Sequence, residues 1–100
     1  MKMNFKVVYN NNVIENGRMT TAVWKYRAQL DIAKRANTVK VKSKLEGSGR
    51  WRYDLGTFDI NFDINNIEEI KKFVEYVFRK EDEDHGYYNI NDTYKAEVEE

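Results

Sequence analysis

One hundred residues without a Pro- or Gly/Ser-rich linker describe a single domain, residues 1–100, whose core leaves a narrow stability margin. Seven Tyr, five Phe and two Trp exclude a disordered chain, and the absence of Cys excludes a disulfide framework, a thiolate nucleophile and a Cys-ligated zinc. The net charge of zero conceals an asymmetry: residues 1–52 hold 12 Lys/Arg against 3 Asp/Glu, and residues 53–100 hold 5 against 14.

Met3, Phe5, Val7 and Tyr9 alternate with Asn4, Lys6 and Val8, which predicts a first strand over about residues 3–9. Asn10–Asn12 interrupts it. Asn16-Gly17 matches a two-residue type I′ turn, so a small hairpin or ordered loop is expected between Val13 and Thr20.

Thr20 or Thr21 caps a predicted helix that runs to about Ala36. On its wheel Val23, Tyr26, Leu30 and Ala33 form one stripe, while Trp24, Ala28 and Ile32 form a second among Arg27, Lys34 and Arg35. The second stripe reads as a packing contact beneath the C-terminal segment. Its alternative is an exposed Trp24 anchor ringed by cations, the residue type that dominates protein interfaces.

The stretch Thr38–Tyr53, TVKVKSKLEGSGRWRY, reads as two strands around a Gly47-Ser48-Gly49 turn. Val39, Val41, Leu45, Trp51 and Tyr53 take the apolar phase; Lys40, Lys42, Lys44, Arg50 and Arg52 take the other. From Phe58 to Ile64 the inward positions are even-numbered, which predicts one inserted residue, a β-bulge or strand break, near Gly56-Thr57. A second helix begins at Asn65 or Asn66 with Glu69 at capping-box spacing, carries Ile67, Ile70, Phe73, Val74, Val77 and Phe78 on one face, and stops at Gly86. Tyr94, Ala96 and Val98 alternate with Lys95, Glu97 and Glu99 as a last strand.

The resulting order is the α+β, ferredoxin-like βαββαβ two-layer sandwich, with both helices on one face of an antiparallel sheet. Lys6, Lys40, Lys42, Lys44, Arg50 and Arg52 are then expected on the open face. That order and that basic face resemble RNA-recognition motifs in topology. Those domains stack bases on aromatics of the open face, whereas GSGRWRYDLG puts Trp51 and Tyr53 in the core phase, so the resemblance implies no site here.

Enzymatic signatures are missing. His85, the only histidine, sits in EDEDHG at a helix end; Ser43 and Ser48 have no local base; Asp82, Asp84 and His85 match neither a zinc motif nor an EF-hand loop. Asp59 and Asp63 share a predicted strand face, where solvent contact is the simpler role than acid–base work. No catalytic residue, metal site or cofactor is therefore expected.

The candidate surfaces are the basic face, the acidic run Glu81, Asp82, Glu83 and Asp84, and Trp24. The acidic run reads as a phosphate mimic able to fill a basic groove, or as a plain solvated helix end. No apolar run approaches a membrane span and MKMNFKVVYNNN lacks a secretory h-region, so a cytoplasmic protein without membrane contact is expected. Abundant Asn, Lys, Ile, Tyr and Glu without Pro is a bias of AT-rich coding, as in a low-GC bacterium or its phage. Together these readings suggest a small non-enzymatic protein-binding inhibitor, encoded by a phage or mobile element. It would block a nucleic-acid-handling host protein, in the manner of anti-CRISPR or anti-restriction proteins. The alternative is a nucleic-acid-binding accessory domain using the basic face. Opposite charge on the two halves also permits a homodimer.

Overall fold

The computed structural model describes residues 1–99. Five strands, β1 (Lys2–Glu15), β2 (Arg18–Ala33), β3 (Thr38–Leu45), β4 (Tyr53–Asp59) and β5 (Thr93–Val98), form one antiparallel sheet in the order β4-β3-β2-β1-β5. A single helix, α1 (Ile67–Asp84), joins β4 at one edge to β5 at the other.

This overturns the ferredoxin-like expectation, because the segment read as a first helix is β2. The reason lies in the period. From Lys25 to Ala33 the sequence KYRAQLDIA alternates strictly, and Tyr26, Ala28, Leu30 and Ile32 face α1 while Lys25, Arg27, Gln29 and Asp31 face away. Positions four apart lie on one face of a helix and also on one face of a strand. Apart from Val23 and Ala33, which fall on the opposite face, the two helical stripes are therefore one strand face, split by the wrong period.

Asn16 and Gly17 carry φ of 50° and 73° and close β1 and β2 into a hairpin. It is far longer than the Val13–Thr20 loop expected, because Asn10–Asn12 stays in the ladder opposite Val23, Ala22 and Thr21. The predicted insertion is present: Gly56 faces Val41 and Asp54 faces Lys42, leaving Leu55 as the extra residue beside Gly56 at φ 117°. Phe62 and Ile64 lie beyond β4, packed against the core from a loop, so Asp59 and Asp63 do not share a strand face. Asp63 instead accepts the Asn65 amide at 2.9 Å.

The core lies between the sheet and α1. Phe5, Val7, Leu30, Val39 and Val41 from the sheet meet Ile70, Val74 and Val77 from the helix, all essentially without solvent exposure. Burying each such side chain stabilises the fold by about 1.5–3 kcal/mol. The Asn66 side chain caps α1 by accepting the amides of Glu68 and Glu69, and those acids sit where the helix dipole favours negative charge. At the far edge Glu75 of α1 accepts the Ala96 amide at 2.8 Å, and Lys71 pairs with Glu97 at 3.1 Å, fastening helix to β5.

Strand and helix assign the neighbours Ile32 and Ala33 to opposite environments, since Ile32 is buried and Ala33 exposed. Ile32→Ala should cost about 2–5 kcal/mol in a urea unfolding experiment. Ala33→Ser should change stability by less than about 0.5 kcal/mol.

Candidate functional site

The sheet has one face covered by α1 and one face free of helices. Cross-strand register sets the free face out in rows: Glu97, Lys6, Arg27 and Lys44 in one, Asn4, Gln29, Lys42 and Asp54 in the next, then Lys2, Asp31, Lys40 and Thr57. Lys25 lies on the same face, two residues toward the β1–β2 turn from Arg27. Neighbouring strands stand about 4.8 Å apart, so the cations form a grid. Lys6, Lys25, Lys40 and Lys42 are exposed, and among the described residues no carboxylate lies within ion-pair distance of them.

The six residues expected on this face divide. Lys6, Lys40 and Lys42 are there and open. Lys44 is there but only 7% exposed, since Trp51 folds over it with its ring centroid 4.8 Å from the ammonium. The same ring lies 5.3 Å from the Arg27 guanidinium, which also grips Glu99 through two contacts of 2.7 and 2.9 Å. Trp51 therefore belongs to the free face and not to the core, a correction with a simple cause. The turn between β3 and β4 extends to Arg52, so residues 46–52 are not bound to strand alternation. Arg50 is exposed in that loop, and Arg52 points to the other side of the sheet, into a cleft beside Trp24. Lys2 and Lys25 are cations of the face that sequence reasoning missed. Reading β2 as a strand places Lys25 there by parity.

That cleft, of about 500 Å³, opens where the β1–β2 hairpin emerges from beneath the C-terminal half of α1. Trp24, Tyr53, Leu45 and Phe78 supply its apolar lining, with Arg52, Asp54, Glu81 and Asp82 as its charges. Trp24 and Tyr53 remain 48% and 47% exposed, so both aromatic bodies are available to a partner. Trp24 is thus exposed as the anchor reading required, on a strand and without the ring of Arg and Lys.

The acidic run has a different fate. Glu83 pairs with Arg79 at 3.4 Å, Asp84 with Lys80 at 3.6 Å and Glu81 with His85 at 3.5 Å, while Asp82 accepts the Tyr94 hydroxyl. These contacts offset negative charge at the helix C-terminus, where the dipole opposes it. His85 caps α1, its Nδ1 2.8 Å from the Glu81 carbonyl. That carbonyl and the Glu81 carboxylate raise its pKa above the ordinary imidazole value. No cluster of His, Cys, Asp or Glu able to hold a metal is present among the described residues, and none of their helices is long and apolar enough to cross a membrane.

Asp92 is a residue that sequence reasoning overlooked. It is buried and accepts from the Tyr9 hydroxyl at 2.9 Å, the Asn12 amide at 2.9 Å, the Asn89 amide at 3.1 Å and the Asn11 side chain at 3.2 Å. Asn12 in turn reaches the Asn91 carbonyl at 2.7 Å and receives the Thr21 hydroxyl at 2.6 Å. Tyr9 and Tyr94 stack beside it with centroids 4.7 Å apart. The network pins the hairpin to the segment preceding β5. In sequence Asn91-Asp92 looks like any polar turn, so no signal marked it. Burial pushes the Asp92 carboxyl up, but the Asn12 and Asn89 amides with Tyr9 and Asn11 outweigh it and hold the group below its usual value. Burial and Asp92 push the Tyr9 phenol up to about 12, so it stays a donor at neutral pH.

No known protein family, curated protein or solved structure matches this chain. The surfaces themselves are what bears on function.

A depressed carboxyl stabilises the fold above its unfolded pKa, and this is lost as pH falls through the folded one. Asp92→Ala should cost about 1–3 kcal/mol at neutral pH by stranding buried donors. The gap between wild type and variant in urea midpoint should hold down to about pH 4 and shrink below it, as wild-type Asp92 takes up its proton.

Proposed function

We propose that the chain is a non-enzymatic protein-binding module that occupies an acidic surface of its partner through the helix-free sheet face. One observation carries this reading: Lys6, Lys25, Lys40 and Lys42 are exposed and unpaired among the described residues, whereas each acid of Glu81–Asp84 has a local partner. Glu83 and Asp84 face Arg79 and Lys80, and Asp82 is held by the Tyr94 hydroxyl, so the run is largely engaged within the molecule. The reading therefore moves the weight from phosphate mimicry by the acidic run to capture by the basic face. Small size and the AT-rich coding bias support the further assignment to a phage- or mobile-element-encoded inhibitor of a host protein. Occupying such a protein's surface needs no catalytic group.

A nucleic acid is the second reading, favoured by Trp51, an aromatic ring lying on the cationic face. Against it stands the pattern of the rows. Each contains a carboxylate, Glu97, Asp54 or Asp31, so a phosphate track crossing the sheet meets negative charge at every step. An acidic protein surface, whose carboxylates are discrete and can be spaced to match the lysines, fits that pattern better than a uniform polyanion.

Charge reversal tests the assignment. Lys40→Glu with Lys42→Glu should weaken capture of the partner from a low-GC bacterial lysate at least tenfold, about 1.4 kcal/mol. Its melting temperature should be unchanged, and wild-type capture should fall with added salt. Reversing Glu83 and Asp84 should leave capture intact. The opposite ranking of the two variants would overturn the basic-face reading. Steep salt-dependent binding of a generic single-stranded oligonucleotide, abolished by the Lys40/Lys42 reversal, would replace the protein with a nucleic acid.

A further inference from the structure

Three stretches of sheet edge in this molecule are handled differently. β4 is short, bulged at Leu55 and carries Asp54 and Asp59, devices that discourage a further strand. β5 has its Ala96 amide taken by Glu75, and where β5 ends the Asn12 amide of β1 is taken by Asp92. The outer edge of β2 has no such cover. β3 pairs with it only from Tyr26 to Ala33, and the Lys25 carbonyl accepts the Glu46 amide as β3 leaves.

From Arg18 to Trp24 the strand is bonded on its β1 side alone among the described residues. The outward carbonyl of Lys25 fixes the parity. Backbone groups alternate sides along an antiparallel strand, so those of Val23, Thr21 and Met19 also point outward. The segment Met19–Trp24, MTTAVW, has no charge, no Pro and no bulge, and Met19, Val23 and Trp24 are 62%, 54% and 48% exposed. An uncharged, β-branched, unpaired edge is a template for another strand.

We infer that the occupant is a second copy of this chain, paired antiparallel through β2 about a two-fold axis at Thr21. The free stretch Arg18–Trp24 is symmetric about Thr21, so the register that uses the whole edge is the one that a two-fold permits. Thr21 then faces the partner's Thr21, and Met19 faces the partner's Val23 in an apolar pair. Thr21 and the two Met19–Val23 pairs each exchange both backbone hydrogen bonds. Arg18 faces the partner's Trp24, a cation opposite an indole. No like charges meet, and the partner's turn arrives where β3 departs at Glu46, so no existing pairing is displaced.

Side chains of paired residues in a continuous sheet share a face. The axis therefore stands perpendicular to the sheet and sets both basic faces on the same side of a ten-stranded assembly. This consequence rests on the basic-face reading; the pairing itself does not.

The test is the mass of the full chain by light scattering and sedimentation over about 1–200 µM, a range suited to an interface of modest area. Wild type should double its mass across that range. Met19→Lys alone and Val23→Glu alone should each hold the chain at monomer mass with little change in melting temperature. Combining Met19→Lys with Val23→Glu sets an ammonium opposite the partner's carboxylate at both ends of the ladder, and this double variant should recover the dimer in a salt-sensitive form. A wild type monomeric throughout, or dimers indifferent to both single changes, would overturn the inference; single variants that break the dimer without rescue would overturn the Thr21 register. Lys40→Glu with Lys42→Glu should lose partner capture and keep the dimer, whereas Met19→Lys should lose the dimer and keep capture by each single face. Failure of one reading is thereby separate from failure of the other.

Discussion

The β1–β2 ladder is the constraint on which everything else depends. Asn16-Gly17 admits a two-residue turn because both positions tolerate positive φ, and a two-residue turn leaves one register open to the strands it joins. Register decides face. Once Val7 stands opposite Tyr26 and Phe5 opposite Ala28, the apolar residues of both strands lie on one side and Lys6 and Arg27 lie together on the other. β3 and β5 extend the same two faces outward, α1 covers one, and the cationic grid remains on the other. A slip of one residue would bury the lysines and expose the core, which is why the register is so strongly specified.

The same geometry explains the uneven fate of the charges. Glu83 and Asp84 have Arg79 and Lys80 one helical turn away, Glu81 has His85, and Asp82 is held by the Tyr94 hydroxyl from β5, so each of these acids is engaged within the molecule. On the sheet face Lys6 stands opposite Glu97, Lys40 opposite Asp31 and Lys42 opposite Asp54, yet among the described residues none of these three pairs closes to ion-pair distance. Their field projects outward instead. Trp51 closes over Arg27 and Lys44 and so removes one cation from solvent, giving the face an aromatic boundary toward the β3–β4 loop.

The hairpin is held differently along its length. Beside β5 it is anchored by Asp92, whose carboxylate collects donors from Tyr9, Asn11, Asn12 and Asn89. Past that anchor, among the described residues, only the ladder and the Thr21–Asn12 hydrogen bond hold it, and apolar side chains stand exposed on both of its faces. The overall extents of 52 × 29 × 24 Å reflect this projecting arm. An isolated two-stranded ribbon is marginal in water, which gives the arm reason to acquire a neighbour.

Much was legible without coordinates. The first strand, the Asn16-Gly17 turn, β3, the inserted residue near Gly56, the Asn66 cap with its helix and the last strand all follow from local signals: period, positive-φ residues and side-chain capping. Lys6, Lys40 and Lys42 on a common exposed face follow from alternation alone. Local signals failed where two periods coincide. Trp24, Ala28 and Ile32 satisfy a helix and a strand equally, and only pairing with β1 on one side and β3 on the other made β2 a strand, because each new ladder satisfies backbone groups that an isolated segment leaves to water. Tertiary structure also decided where Trp51 and Arg52 went, since a loop carries no periodicity to read. It decided that Asp92 is buried, since four donors converge there from positions as distant as residues 9 and 89. The sequence by itself determined which side chains alternate and where the chain turns. Which of those strands found neighbours, and which edge was left without one, depended on contacts between residues far apart in the chain.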